Sequence, residues 1–165
     1  MQLGRIFRHL LTSEATVQRA FPRQTLDAIE AAIKAGEARH FGEIRFAVEG
    51  SLDGAPLFRD QSAPQRALEL FARLRVWDTE HNNGLLIYLL LADHAVEIVA
   101  DRGIHARVGA PAWKAICQQM EQAFRRDEFE AGVLSGVHAV ASHLATHFPF
   151  DGPRPNELPD RPVVL

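Results

Sequence analysis

Apolar residues follow a helical period at both ends of the chain and a strand period in its middle, and the succession of the two predicts the order of elements. Leu3, Ile6, Phe7, Leu10 and Leu11 recur at helical spacing, and Thr12 or Ser13 is placed to cap a second short turn running toward Phe21. Pro22 suits a first helical turn, after which Leu26, Ile29, Glu30 and Ile33 trace a stripe through an alanine-rich segment that ends near Gly36. Residues 43–49, Glu-Ile-Arg-Phe-Ala-Val-Glu, alternate polar and apolar, which predicts a strand with one face buried. Gly50 to Pro56 reads as a loop, and Ala67, Leu68, Phe71 and Leu74 mark a helix that starts at about Pro64 and closes near Trp77.

His81-Asn82-Asn83-Gly84 tolerates positive φ and leads into an apolar run over 85–92, the pattern of a central strand covered on both faces. Asp93-His94 reads as a two-residue hairpin connection, with 95–100 as the partner strand and Asp101-Arg102-Gly103 ending it. Trp113, Ile116, Cys117, Met120 and Phe124 define the next helix, and Phe129, Val133, Val137, Val140, Leu144 and Phe148 a long last one. From Pro149 onward repeated prolines exclude both helix and central strand, so the tail is expected to be extended. Helices before, between and after a few strands, with a hairpin in the middle, predict an α/β fold: a three-layer α/β/α sandwich around a mixed sheet. The chain divides into an N-terminal amphipathic segment (1–21), an α/β domain (22–148) and a Pro-rich tail (149–165).

Composition narrows the partners more than the chemistry. A chain of 165 residues with 47% hydrophobic and 24% charged content is sized for one domain with its own core. Its formal charge of −3, without a basic run, argues against nucleic acid. Cys117 is the single cysteine and sits in an apolar stripe, as a small buried thiol does. No stretch is long and apolar enough for a direct membrane span, and the opening segment is too broken by Arg5, Arg8 and His9 for a signal peptide, so a cytoplasmic location is the expectation. The first helix is expected to dock on the domain; Arg5 and Arg8 offer the alternative of a helix lying on a membrane surface.

Gly42-Glu43-Ile44 opening a strand, Trp77-Asp78-Thr79 after a helix, Asn82-Asn83-Gly84 before a buried strand and Asp101-Arg102-Gly103 after a hairpin together resemble the TPM domain family over about 22–148. The resemblance implies an α/β/α sandwich with a groove near the strand ends, where some members hold a divalent cation such as Ca²⁺. It also implies two candidate roles, an acid phosphatase-like activity or the assembly and repair of membrane complexes. Many members are exported or anchored, and this chain carries no such segment by the reading above. The segment Asn156 to Asp160 is similar to one in soluble bacterial members.

Loops at strand ends are where open α/β sheets place ligands, which singles out Asp78, Asn82, Asn83 and Asp101, with Glu80 beside them and Asp127 before the last helix. Their hard oxygens suit Ca²⁺ or Mg²⁺. The plainer alternative is that Asp78 and Asp127 cap helices or turns and that Asn82-Asn83-Gly84 makes a tight turn. No phosphate loop, G-x-S-x-G elbow or H-E-x-x-H occurs, and His143 and His147, four apart on the last helix, lack the glutamate of a zincin. Glu43 and Arg45 share a strand face and read as a surface salt bridge. In the tail, Asn156, Glu157, Leu158, Val163, Val164 and Leu165 are candidates to dock on a sheet edge or groove, of this domain or of a partner protein, including a membrane-associated one, with a disordered tail as the plainer alternative. Two functions follow: a binding or assembly module holding a divalent cation, or a phosphatase-like hydrolase centred on Asp78, Asn83 and Asp101.

Overall fold

In the computed structural model, which describes residues 3–165, β1 (Glu43–Glu49), β2 (Gly84–Leu90), β3 (Ala95–Ala100) and β4 (Val163–Val164) form one sheet in the order β3-β2-β1-β4. β1 runs parallel to β2 and to β4, while β2 and β3 are antiparallel, so the sheet is mixed and the hairpin stands where the apolar run predicted it. The helices are α1 (Leu3–Leu11), α2 (Glu14–Ala20), α3 (Arg23–Glu37), α4 (Gly54–Phe58), α5 (Ala63–Arg73), α6 (Arg102–Val108), α7 (Ala110–Phe124) and α8 (Phe129–His147).

The two faces of the sheet carry separate cores. Ile44, Phe46, Val48, Leu85, Ile87 and Leu89 point into one with Ile29 and Ile33 of α3, Trp113 and Phe124 of α7, and Val133, Val137 and Leu144 of α8. Ala47, Leu86, Tyr88 and Leu90 face the other, closed by Ala67 and Leu70 of α5, Leu57 of α4 and Leu158 of the tail. This is the three-layer sandwich, and it explains why β2 is apolar at nearly every position: helices cover both sides. At the start of α5 the Ser62 hydroxyl accepts from Gln65 N–H, and the Gln65 side chain accepts from Ser62 N–H, a reciprocal cap that sets where that helix begins.

Four local expectations change. β1 is buried at all seven positions rather than on one face, because α5 and the tail cover its polar side. There the Glu49 carboxylate takes two bonds from Arg66 at 2.9 and 2.7 Å and one from the Tyr88 hydroxyl at 2.7 Å. The hairpin connection is a 3₁₀ turn over Leu91–Asp93 closed by His94 in the left-handed region, not a two-residue loop. Gly54–Phe58 is a helix inside the expected loop. The chain after β3 also continues at once into a helix, with the Asp101 carboxylate accepting from Arg102 N–H at its start.

The tail is extended, as its prolines require, and it is docked on its own domain. Val163 and Val164 pair with Ala47 and Val48, so β4 lengthens the sheet beyond β1. Leu158 is 7% exposed in the second core.

Candidate functional site

Parallel strands β1 and β2 begin side by side, with Glu43 paired to Gly84, and the segments leading into them are fixed by close backbone packing. Asn82 is left-handed, with φ 51°, and its carbonyl accepts from Ile104 N–H of α6. Asn83 is fully buried: its amide donates to Phe41 O, and its carbonyl accepts from Glu43 N–H. A Cβ on Gly84 would overlap the Val76 carbonyl oxygen, and one on Gly103 would stand 2.5 Å from the carbonyl oxygens of both His81 and Asn82. Asn82-Asn83-Gly84 and Asp101-Arg102-Gly103 therefore act together as the joint that closes this end of the sheet.

Beside that joint lies a cleft of about 220 Å³ lined by the end of α3, the start of β1 and the tail. Carboxylate oxygens of Glu37, Glu43 and Asp160 meet there within 4.8 Å of one another. β4 is too short to pair with the start of β1, and Glu37 fills the place, its Oε1 accepting from Ile44 N–H at 2.9 Å. Glu43 accepts from the tail N–H groups of Glu157 and Leu158 at 3.1 and 3.3 Å. Arg45, on the same strand face, donates to the carbonyls of Pro159 and Arg161 instead of bridging Glu43. The expected Glu43–Arg45 salt bridge is thus replaced by two separate clamps on the tail backbone, each giving a buried side chain a main-chain partner, although the Arg45 Nε has none among the described residues.

The electrostatics of the cleft are unbalanced. Burial, then the neighbouring Glu43 charge, pushes the Glu37 carboxyl up to about 9, against the opposing Ile44 N–H. Burial likewise raises Glu43 to about 7, opposed by the two tail N–H groups. Among the described residues none of the three carboxylates has a cationic side chain within 4.0 Å, whereas Glu49 and Asp93 each have one. His40 lines the same cleft and is held uncharged by burial, its pKa lowered to about 4, while its Nδ1 accepts from Gly42 N–H. Lys34 and Arg154 stand at the rim, Arg154 with its guanidinium over the Phe41 ring.

The residues expected to gather around a cation are divided. Asn83 and Asp101 flank the joint, but the Asn83 amide and one Asp101 oxygen are committed to backbone groups. Asp78 is exposed and paired with Arg75 at 2.8 Å. Asp127 is left-handed and lines a cleft with Leu91 and Ala92, past the far end of β2, on the order of 20 Å from Asn83. It cannot share an ion with the others. Among the described residues, Glu37, Glu43 and Asp160 are the one set of three acidic, His or Cys side chains close enough to do so. In the tail Leu158 is spent on the core, Asn156 and Glu157 border the cleft, and Val164 and Leu165 stay largely exposed. His143 packs edge-on against Trp113.

Sequence reasoning missed Glu37 and Asp160 as members of this acidic cluster because neither lies in a motif. The available signal was a glutamate at the end of an otherwise apolar helical stripe, directly before a strand.

Comparison with protein families matches the TPM domain over residues 17–143. Comparison with curated proteins matches none of them. Among solved structures, the NMR structure of BA42 protein from the psychrophilic bacterium Bizionia argentinensis is 27% identical with a TM-score of 0.74, covering 86% of this chain and 92% of that one. The N-terminal domain of a P. gingivalis protein has the same fold at 23% identity and a TM-score of 0.59, covering 76% of this chain and 79% of that one.

Proposed function

Since this chain belongs to the TPM domain family, we propose that it is a binding module of that fold which holds a divalent cation between Glu37, Glu43 and Asp160. The observation that carries the reading is the meeting of three carboxylates within 4.8 Å, none of them paired within 4.0 Å to a cationic side chain among the described residues, and two of them driven toward the protonated form. Like charges so placed in a partly dry cleft demand either protons or a metal ion. All the donors are hard oxygens, which fits Ca²⁺ or Mg²⁺ rather than zinc, and the exposed side of the cleft leaves room for water to complete the shell. Bound there, the ion would supply two positive charges and a tie between elements distant in sequence.

The residues themselves define what such a tie does. Glu37 closes the free edge of β1, Glu43 and Arg45 hold the backbone of 157–161, and Asp160 belongs to the tail itself. Occupancy of the cleft is therefore linked to docking of the tail. Calorimetric titration of Ca²⁺ and Mg²⁺ into metal-stripped protein tests this, with Glu37→Gln and Asp160→Asn as comparisons. Binding that weakens at least tenfold in both variants supports the reading, and equal binding in all three proteins refutes it.

A second reading is a metal-dependent phosphatase, favoured by Lys34 and Arg154 at the rim of the acidic cleft, where a phosphoryl oxygen would need positive charge. Turnover of phosphomonoesters that needs the divalent ion and vanishes in Asp160→Asn would select it. A protein that binds the ion and turns nothing over is the module.

A further inference from the structure

α1 is docked with its polar side inward. Arg5 donates to Asp93 through Nε and Nη2, at 3.0 and 2.8 Å, and reaches Asp60 and the Gln61 carbonyl at 2.8 Å each. His9 is 2% exposed; its Nδ1 accepts from Leu52 N–H at 2.8 Å, which leaves the ring proton on Nε2 facing Asp93. Only Ile6 among the apolar residues of this helix packs on the core. The opposite arc, Leu3, Phe7, Leu10 and Leu11, is 63–78% exposed. At 100° per residue these four lie side by side on the helix surface, with Arg8 next to them and 59% exposed. This reverses the usual surface helix, and the Arg5 ion pairs with Asp93 and Asp60, together with the His9 hydrogen bond to Asp93, hold it in that orientation.

We propose that this face of α1 seats on an anionic lipid surface. The exposed apolar arc amounts to on the order of 500 Å², the size of a functional patch but short of the roughly 800 Å² each partner gives to a stable protein–protein interface. Two copies joined through it would bury about 1,000 Å², below the usual range for a specific dimer. The side chains stand out as a ridge, and the acyl boundary of a bilayer accepts a ridge without a complementary groove. Arg8 and Arg19 line the cleft that borders Leu11, Arg8 also standing 3.7 Å from Asp93 and Asp127 being the acidic group among the lining residues, so two guanidinium charges border the ridge although the whole chain is at −3. That charge matches phosphate headgroups. The protein would lie on the membrane, with α1 parallel to its plane and the carboxylate cleft at the other end of β1 facing away.

Co-sedimentation of the full chain with vesicles of mixed phosphatidylglycerol and phosphatidylcholine tests the assignment, with pure phosphatidylcholine vesicles as the uncharged control. The wild type should pellet with the anionic vesicles and lose binding at high salt. Phe7→Asp/Leu10→Asp should lower partitioning at least about a hundredfold, since two apolar side chains are lost and two negative charges gained. Both positions are exposed, so the variant should keep its circular dichroism spectrum. Independently, Phe7→Trp should shift its fluorescence to the blue on addition of anionic vesicles. Failure to pellet, or pelleting that is unchanged in the double variant, overturns the proposal. A dimer in vesicle-free solution that the double variant dissolves also overturns it, in favour of a second copy as the occupant.

Discussion

Raising the pH from about 5 to about 9 should destabilise the metal-free domain, and Glu37→Gln should remove most of that loss. In the unfolded chain both Glu37 and Glu43 release their protons near 4.5; in the folded chain they keep them until about 9 and about 7. Between those values the folded state binds more protons than the unfolded one, so stability is fully present below about 4.5 and falls as pH rises through the folded values. Taken whole, the Glu37 displacement from 4.5 to about 9 corresponds to about 6 kcal/mol. The cleft opens to water on the side of Asn156 and Glu157, and screening there reduces the expected loss to about 3 kcal/mol. Glutamine keeps the oxygen that accepts from Ile44 N–H, so the variant isolates the charge from the hydrogen bond. Urea denaturation of both proteins at several pH values, with chelator present, reads the difference directly. A wild-type curve that is flat from pH 5 to 9, or a slope that Glu37→Gln leaves intact, would show that this carboxyl ionises in the fold without penalty and that the cleft has no unbalanced charge to neutralise.

Three further substitutions address the frame around the cleft. Leu158→Ala should lower unfolding free energy by about 2–4 kcal/mol in chemical denaturation, because this side chain anchors the tail in the second core. Gly84→Ala should lower the melting temperature by more than an ordinary surface change, a loss of about 2 kcal/mol or more, since the Val76 carbonyl occupies the space a Cβ needs. Glu49→Ala should destabilise by about 3–5 kcal/mol in the same assay, leaving the Arg66 guanidinium and the Tyr88 hydroxyl without their shared acceptor.

The elements that sequence pattern exposes are those whose faces are buried by helices or strands. β2, α7 and α8 could be read because packing fixes an apolar residue at each inward position. α4 and α6 could not: each buries one side chain, Leu57 and Ile104 respectively, and one buried residue makes no period. The alternation in β1 reported correctly that its two faces differ in polarity and misled about exposure. Charged residues there are covered by a segment more than a hundred positions later in the chain, which no local pattern records. α1 shows the same limit in another form. Its spacing announces two unlike faces, but which one turns inward is decided by Asp93, whose carboxylate gives Arg5 and His9 a better place than water.

The cleft and the tail then follow from one shortage. β1 is a central strand that carries Glu43, Arg45 and Glu49 on one face, and none of these can be buried without a partner. Glu49 finds Arg66 on α5, whose helix reaches only that part of the face. The two residues nearer the start of the strand are left to the backbone of 157–161, which supplies N–H groups for the carboxylate and carbonyls for the guanidinium. Docking the tail in this way gives each a main-chain partner, with the Arg45 Nε left unpartnered among the described residues, yet it also brings Asp160 to Glu37 and Glu43 and creates a surplus of carboxylates. A strand of two residues and one buried leucine hold that surplus in place. A cation that neutralises the three carboxylates would strengthen the tail's hold on the sheet, and loss of the ion or of its protons would weaken the same contacts that keep β1 covered.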